Sequence, residues 1–323
     1  MKQNEKPFVI ALDLGGTNSV FGIVDSSGEI KASTSIKTQA YTTVEEYVTA
    51  SCQAVMTIVE ETGGMENIKA MGIGAPSANY YRGTIENAAN LVWGKGIVPL
   101  AKLFEDKLGV PVALTNDANA AALGEKWYGV AQGMNNFVEI TLGTGVGSGI
   151  VVNGQLLYGC DGFAGELGHM IVTPVNGRPC GCGRSGCLET YCSATGVVRT
   201  AKEMLANNPD TTSSLKNIPL DKLTSLDIYN EAMKQDELAL QIFKQTGEMI
   251  GEACANVATV LSPEAFIFFG GLANAGDLLM NPIKEAYEKH VPSLYQGKAK
   301  FLISGLKGAS AAVLGASAMA WEI

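Results

Sequence analysis

Residues 8–24 read FVIALDLGGTNSVFGIV, two apolar runs parted by the turn Asp13-Leu14-Gly15-Gly16-Thr17-Asn18. The runs at 8–12 and 20–24 have strand length, and a further turn at Ser26-Ser27-Gly28 leads to a third at 30–36. Strands joined by tight turns make an antiparallel meander, not a strand–helix unit. Glycines in the first turn let backbone N–H groups converge on an anion, with Thr17 and Asn18 as side-chain donors. Asp13 is placed to hold a metal ion against phosphates. The bland alternative is a plain hairpin turn. A Walker loop is excluded, since it needs a lysine and leads into a helix, and no dinucleotide GxGxxG spacing occurs.

The second half opens with the same device. Residues 137–152 read FVEITLGTGVGSGIVV, and aligning Asp13 with Thr141 sets the two segments 128 residues apart (141 − 13 = 128), with a one-residue shift at the turn. Glycines at alternate positions, Gly143, Gly145, Gly147 and Gly149, weaken a strand unless something must approach its backbone. Two phosphate-cradling hairpins at domain-sized separation imply two related domains holding one ATP. A side chain placed in either turn, at Gly15 or Gly145, is then expected to weaken ATP binding and leave binding of the second substrate untouched.

Helical periodicity covers 43–61 behind a Thr42 or Thr43 cap, 118–128, 232–259, the stretch from Asp277, and the alanine-rich tail 308–321. Short buried strands are expected at 70–73, 111–114 and 266–269. The polar stretch 207–226 reads as a surface excursion. With 323 residues, two domains are expected, 1–115 plus 308–323 and 116–307.

Composition narrows the class. The chain is 46% hydrophobic with a net charge of −9 and no dense basic block, which argues against a nucleic-acid partner. No segment reaches the roughly 18 apolar residues of a membrane span, and the start lacks a secretory pattern, so cytoplasmic residence is the expectation. Seven cysteines, an odd number, do not read as a disulfide framework.

Two segments carry the chemistry. Asn116-Asp117 ends a short strand before a helix of small residues. A carboxylate there can take the proton of an attacking hydroxyl, although position alone favours reading Asp117 as a helix cap. Gly165-Glu166-Leu167-Gly168-His169, followed by Cys180-Gly-Cys182 and Cys187-Leu-Glu189, offers one His and three Cys. That set makes a closed tetrahedral Cys₃His zinc site, structural in kind. Its loop is expected to have no other way to fold without the metal.

Together these residues resemble the ROK family of bacterial sugar kinases and repressors, over essentially the whole chain. The resemblance implies an α/β, two-lobed actin/hexokinase-like (ribonuclease H-like) fold with a ligand cleft between the lobes and a C-terminal helix packed back on the N-terminal lobe. It implies Asp117 as catalytic base, with Asn90, Asn116, Glu166, His169 and Glu189 as sugar ligands. It implies His169, Cys180, Cys182 and Cys187 as zinc ligands. Asp13, Gly15, Gly16, Thr17, Asn18, Gly143, Thr144 and Gly145 then contact ATP, and Gly270-Gly271 lines the adenosine. Expected cofactors are ATP, Mg2+ and a structural Zn2+; expected partners are a hexose and a second or further copies of the chain (homodimer or homotetramer).

The run Cys187-Leu-Glu-Thr-Tyr-Cys-Ser-Ala-Thr-Gly196 resembles the glucokinases of the family, so glucose phosphorylation is the expectation. An N-acetylhexosamine kinase would use the same catalytic residues. A repressor of the family would carry an N-terminal winged-helix segment, for which a phosphate turn at Asp13 leaves no room. One departure stands out. Members often carry glycine shortly after the proline of the Gly-x-Pro loop, where this chain reads Gly74-Ala75-Pro76-Ser77-Ala78.

Overall fold

The structure, a computed structural model, describes residues 6–306 and 309–323. β1 (Phe8–Leu14) and β2 (Asn18–Asp25) form the expected hairpin, in register from Phe8 opposite Asp25 to Leu14 opposite Ser19. β3 (Ile30–Lys37) continues the meander as an edge strand with one solvated face. Thr43 caps α1 (Val44–Glu61) by accepting from the Glu46 amide, and the helix buries Tyr47, Val48, Val55, Ile58 and Val59. β4 (Ile68–Gly74) lies parallel to β1. A small sheet of β5 (Ala78–Asn79), β6 (Thr84–Glu86) and β7 (Ile97–Val98) and the helix α2 (Leu100–Leu108) follow. These pieces are too short for periodicity to mark. β8 (Val112–Thr115) completes the order β3-β2-β1-β4-β8 and feeds α3 (Asp117–Tyr128).

The next sheet repeats that plan. β9 (Phe137–Leu142) and β10 (Val146–Val152) form an antiparallel hairpin, and β11 (Gln155–Leu156) follows. After α4 (Glu189–Cys192), α5 (Ala194–Asn207), α6 (Ser225–Met233) and α7 (Glu237–Leu261), β12 (Ala265–Phe269) joins β9 in parallel. α8 (Asp277–His290) and β13 (Lys300–Ile303) complete the order β11-β10-β9-β12-β13. The one-residue shift is real in the turns: Leu14 faces Ser19, whereas Leu142 faces Val146.

Two expectations change here. The helix expected over 232–259 is two helices, because Gln235 adopts φ 67 and Asp236 starts a new helix by accepting from the Ala239 amide. The stretch 207–226 is not wholly a surface excursion, since Leu215 and Leu223 are buried in the core formed around α7.

The last helix, α9 (Ala309–Glu322), packs on α3, β1 and β4, as the resemblance implied. Gly315 lets the two helix backbones meet: its Cβ would strike the Ala120 carbonyl, and Gly124 lies against Gly315 in turn. Val313, Ala316 and Ala320 cover Val9, Ala11, Val24 and Ala70. The compact units are therefore Met1–Met134 with Leu156–Ala164 and Gly305–Ile323, and Asn135–Gln155 with Gly165–Ser304. The boundary falls after Met134 and not after residue 115, because packing against α9 holds α3 in the first unit. Residues 1–5 of the expected first domain, and the expected helix start at Gly308, lie outside the described residues. Among the described residues, no helix is long and apolar enough to cross a membrane.

Candidate active site

In the first unit, the Gly15 amide closes the first turn on the Asn18 carbonyl at 3.0 Å. Among the described residues, the amides of Gly16 and Thr17 bond to nothing, which is what an anion cradle requires. Asn90 sits beside the turn, its Cβ 3.2 Å and its amide nitrogen 3.3 Å from where a Gly16 Cβ would stand. Below the turn, burial and the neighbouring Asp117 charge raise the Asp13 carboxyl to about 6. Two carboxylates that crowd each other this way suit a divalent cation, which would relieve both burial and repulsion.

The cap question at Asp117 has a definite answer. Asn116 is the N-cap, its Oδ1 accepting from the Asn119 amide at 2.7 Å. Asp117 is the first helical residue and solvent-exposed, its Oδ1 accepting only from the adjacent Ala118 amide at 2.9 Å. Its second oxygen is free of any hydrogen bond among the described residues. Asn116 has thus committed its carbonyl oxygen and keeps its NH₂ as a donor.

In the second unit, the Gly143 amide closes the second turn on the Gly145 carbonyl at 3.1 Å. Among the described residues, the amides of Thr144 and Gly145 are unbonded there. The Ala194 amide and the Thr195 hydroxyl hold the Gly143 and Thr144 carbonyls from α5, so the turn rests on a helix start. Glu189, one of the expected sugar ligands, lies against this turn and not apart from it. A Cβ on Gly145 would strike the Glu189 carboxylate, and Glu189 Oε2 accepts from the Val146 amide at 3.1 Å. By contrast, no protein atom lies within 4 Å of a Cβ built on Gly143 or Gly271. At those two glycines the fold leaves room for a side chain.

His169, Cys180, Cys182 and Cys187 bring their ligand atoms within 4.8 Å of one another. Cys180 Sγ lies 3.7 Å from His169 Nδ1, and Cys182 Sγ 3.6 Å from Cys187 Sγ. A tetrahedral zinc with Zn–S bonds of about 2.3 Å has ligand edges of roughly 3.8 Å, so the donor set and its spacing fit the metal. Hydrogen bonds from the Arg184 backbone and side chain lower the Cys182 thiol to about 6, whereas burial and Cys182 itself push Cys187 up to about 12. Glu189 Oε1 is 3.9 Å from Cys180 Sγ, which ties one candidate sugar ligand to the cluster. Glu166 is exposed at the start of the short helical turn that carries His169.

Arg178 escaped the sequence reading, because a lone arginine in a loop carries no spacing signal. It is buried, donates to Glu203, Thr200, and the Thr190 and Gly196 carbonyls, and stacks 4.4 Å from the Tyr191 ring. The cysteine loop therefore has a second anchor, on α5, besides the His and Cys set.

Two adjoining cavities in the second unit were likewise illegible. One of about 490 Å³ runs from Thr144 past Arg199 and Lys202 to Ser225. The other, about 410 Å³, shares Ser225 and continues along Tyr229, Gly271, Leu272 and Asn274. A basic stretch beside an anion turn, followed by an apolar slot with an open glycine, suits a nucleotide. Gly270 does not contact that cavity; φ 99 and the Leu142 backbone beside it make it a requirement of the chain path. A larger cavity, about 770 Å³, is lined by Phe8, Asp25, Lys69 and Trp321, at the end of β1 and β2 away from the Asp13 turn. Size does not locate the chemistry.

Residues 9–323 match the ROK family. A glucokinase of Halalkalibacterium halodurans is 36% identical over 308 residues, 95% of this chain and 92% of that protein. A glucokinase of Streptomyces coelicolor is 34% identical, covering 97% of each chain. The crystal structure of a ROK family glucokinase from Streptomyces griseus, in complex with glucose and AMPPNP, matches with a TM-score of 0.78 at 34% identity, over 98% of this chain and 100% of that one. A family match spanning nearly the whole chain agrees with the two like-ordered sheets of an actin/hexokinase-like α/β fold and with the Cys₃His cluster: the chain belongs to the ROK family.

Proposed function

We propose that this protein transfers the γ-phosphoryl group of ATP to the 6-hydroxyl of glucose. The observation that carries the reading is the exposed Asp117 carboxylate, relieved of capping by Asn116 and set beside the half-buried Asp13. Glucose as the acceptor, and ATP as the donor, follow from the glucokinase relatives.

In this reading Asp117 accepts the hydroxyl proton as the sugar oxygen bonds to γ-phosphorus. The bond from phosphorus to the bridging oxygen breaks, and ADP leaves with that electron pair. Asn90 and Asn116 are the first unit's candidates for holding ring hydroxyls, and Glu166, His169 and Glu189 are the second unit's. The free amides of each turn are donors for phosphate oxygens, and the slot at Tyr229 and Gly271 in the second unit would take the base. Asp13 is the residue that would hold Mg2+ bound with ATP, which would neutralise phosphate charge. Zn2+ in the Cys₃His cluster would act structurally, tying Glu189 and His169 to one loop.

Replacing Asp117 by Asn tests the reading in a coupled ADP-release assay across a panel of hexoses. Turnover on glucose is expected to drop by about 10²–10⁴-fold with the circular dichroism spectrum unchanged. Activity within a few-fold of wild type would remove Asp117 from the chemistry, and a faster reaction on another hexose would reassign the acceptor.

A further inference from the structure

The strand β10 turns Val146, Ser148 and Ile150 to one face, directly opposite Leu142, Ile140 and Val138 of β9. The five apolar residues of that set belong to the core of the second unit. Ser148 sits among them only 2% exposed, a hydroxyl where the strand pattern calls for an apolar side chain. Burying a hydroxyl there costs stability unless it is hydrogen-bonded, so its partners explain its presence.

Those partners lie in the loop that carries two candidate sugar ligands. Ser148 Oγ donates to the Gly165 carbonyl and accepts from the Leu167 amide, the latter at 3.3 Å. The same carbonyl and amide also bond each other, at 2.9 Å, across Glu166. Glu166 stands between them at φ −79 and ψ 55, the central position of an inverse γ-turn. One buried hydroxyl thus grips both ends of the turn whose middle residue is Glu166.

Two glycines let the loop come this close. The Ser148 carbonyl lies 3.1 Å from where a Gly165 Cβ would stand, and a Cβ on Gly168 would strike the Val146 carbonyl. Glu166 itself is exposed, and the turn fixes the direction in which its side chain leaves the backbone. The turn also leads into His169, whose amide donates to the Glu166 carbonyl at 3.0 Å.

We propose that Ser148 is a positioning residue for the acceptor sugar: by fastening the γ-turn to β10 it sets the direction from which Glu166 meets a ring hydroxyl. The proposal rests on the function proposed above. Its rival is that Ser148 serves the phosphate turn, which ends three residues earlier on the same chain. The two differ in which substrate suffers when the hydroxyl is removed.

The test pairs Ser148→Ala with Glu166→Gln in a double-mutant cycle, reading kcat and the KM values for glucose and ATP. Alanine suits the apolar face and leaves the bond between Gly165 and Leu167 in place, so the fold is expected to stand; thermal unfolding sets a temperature at which every variant is folded. Ser148→Ala is expected to raise the glucose KM by about 10-fold, with the ATP KM within about twofold of wild type. In the Glu166→Gln background the same substitution is expected to add nothing, because the hydroxyl acts through Glu166. An unchanged glucose KM in Ser148→Ala, an ATP KM raised as far as the glucose KM, or effects of the two substitutions that multiply, overturns the proposal while leaving the kinase reading intact. A wild type without sugar kinase activity is a separate outcome: it overturns the proposed function, and this inference with it.

Discussion

At the scale of single residues, neighbouring glycines in one turn carry different constraints. Gly145 is glycine because the Glu189 carboxylate occupies the space a Cβ would need, whereas Gly143 has open space on that side. Gly143→Ala is therefore expected to leave the fold and the glucose KM unchanged and to raise the ATP KM, by about 10-fold or more if the turn cradles phosphate. Gly145→Ala is expected to raise both KM values, since it displaces Glu189 from the Val146 amide. Steady-state kinetics separates the two; an unchanged ATP KM in Gly143→Ala would make the turn an ordinary hairpin. Ser77 shows a related constraint. It takes φ 53, a left-handed conformation that glycine adopts freely, directly after the proline of the Gly-x-Pro loop. A serine there carries about 1 kcal/mol of strain.

At the scale of elements, the loop from Arg178 to Glu189 has two fastenings, one chemical and one steric. The Cys₃His cluster gathers His169 and the three cysteines, and Arg178 bolts the loop to α5 independently. Protein purified without added zinc is expected to contain close to one zinc per chain. Chelation is expected to raise the glucose KM, because His169 and Glu189 lose their shared anchor, yet to leave the α5 hydrogen bonds of Arg178 in place. Hydrogen exchange would then rise over 180–187 and remain slow over α5. Metal-free protein with an unchanged glucose KM would separate the cluster from sugar binding. The cluster was legible from sequence because one His and three Cys at short spacing match a structural zinc-ligand pattern. Arg178 was not, since its partners Thr190, Gly196, Thr200 and Glu203 come together only when the loop folds over the helix.

At the scale of the whole molecule, stability and activity should part as pH falls. Asp13 has a folded pKa of about 6 against an ordinary 3.8, so the folded state binds its proton more tightly than the unfolded chain does. Stability from this group is absent above pH 6, grows as pH falls toward 3.8, and amounts to about 3 kcal/mol. Asp25 acts in a separate window. Partial burial works to raise its pKa, but hydrogen bonds from Ser27, Glu29 and Lys31 bring it down to about 2, so its stabilisation is lost only below 3.8. Ligand-free protein is thus expected to melt higher at pH 5 than at pH 7.5, while turnover drops as Asp13 protonates and loses its hold on a cation. Asp13→Asn should abolish the rise in melting temperature; a wild type that melts no higher at pH 5 would contradict the burial of that charge. The sequence by itself determined the two strand–turn–strand units, the His and Cys set that could hold a metal, and the carboxylate beside the helix start. Each of these is written in residues close together along the chain, where spacing alone dictates geometry. Only the tertiary structure decided that α3 belongs to the first unit, that Asn116 and not Asp117 caps it, and that Glu189 backs the second turn. Those outcomes depend on α9 returning from the far end of the chain, on which of two adjacent side chains reaches an amide, and on loops meeting across more than forty residues, and local pattern carries none of that information.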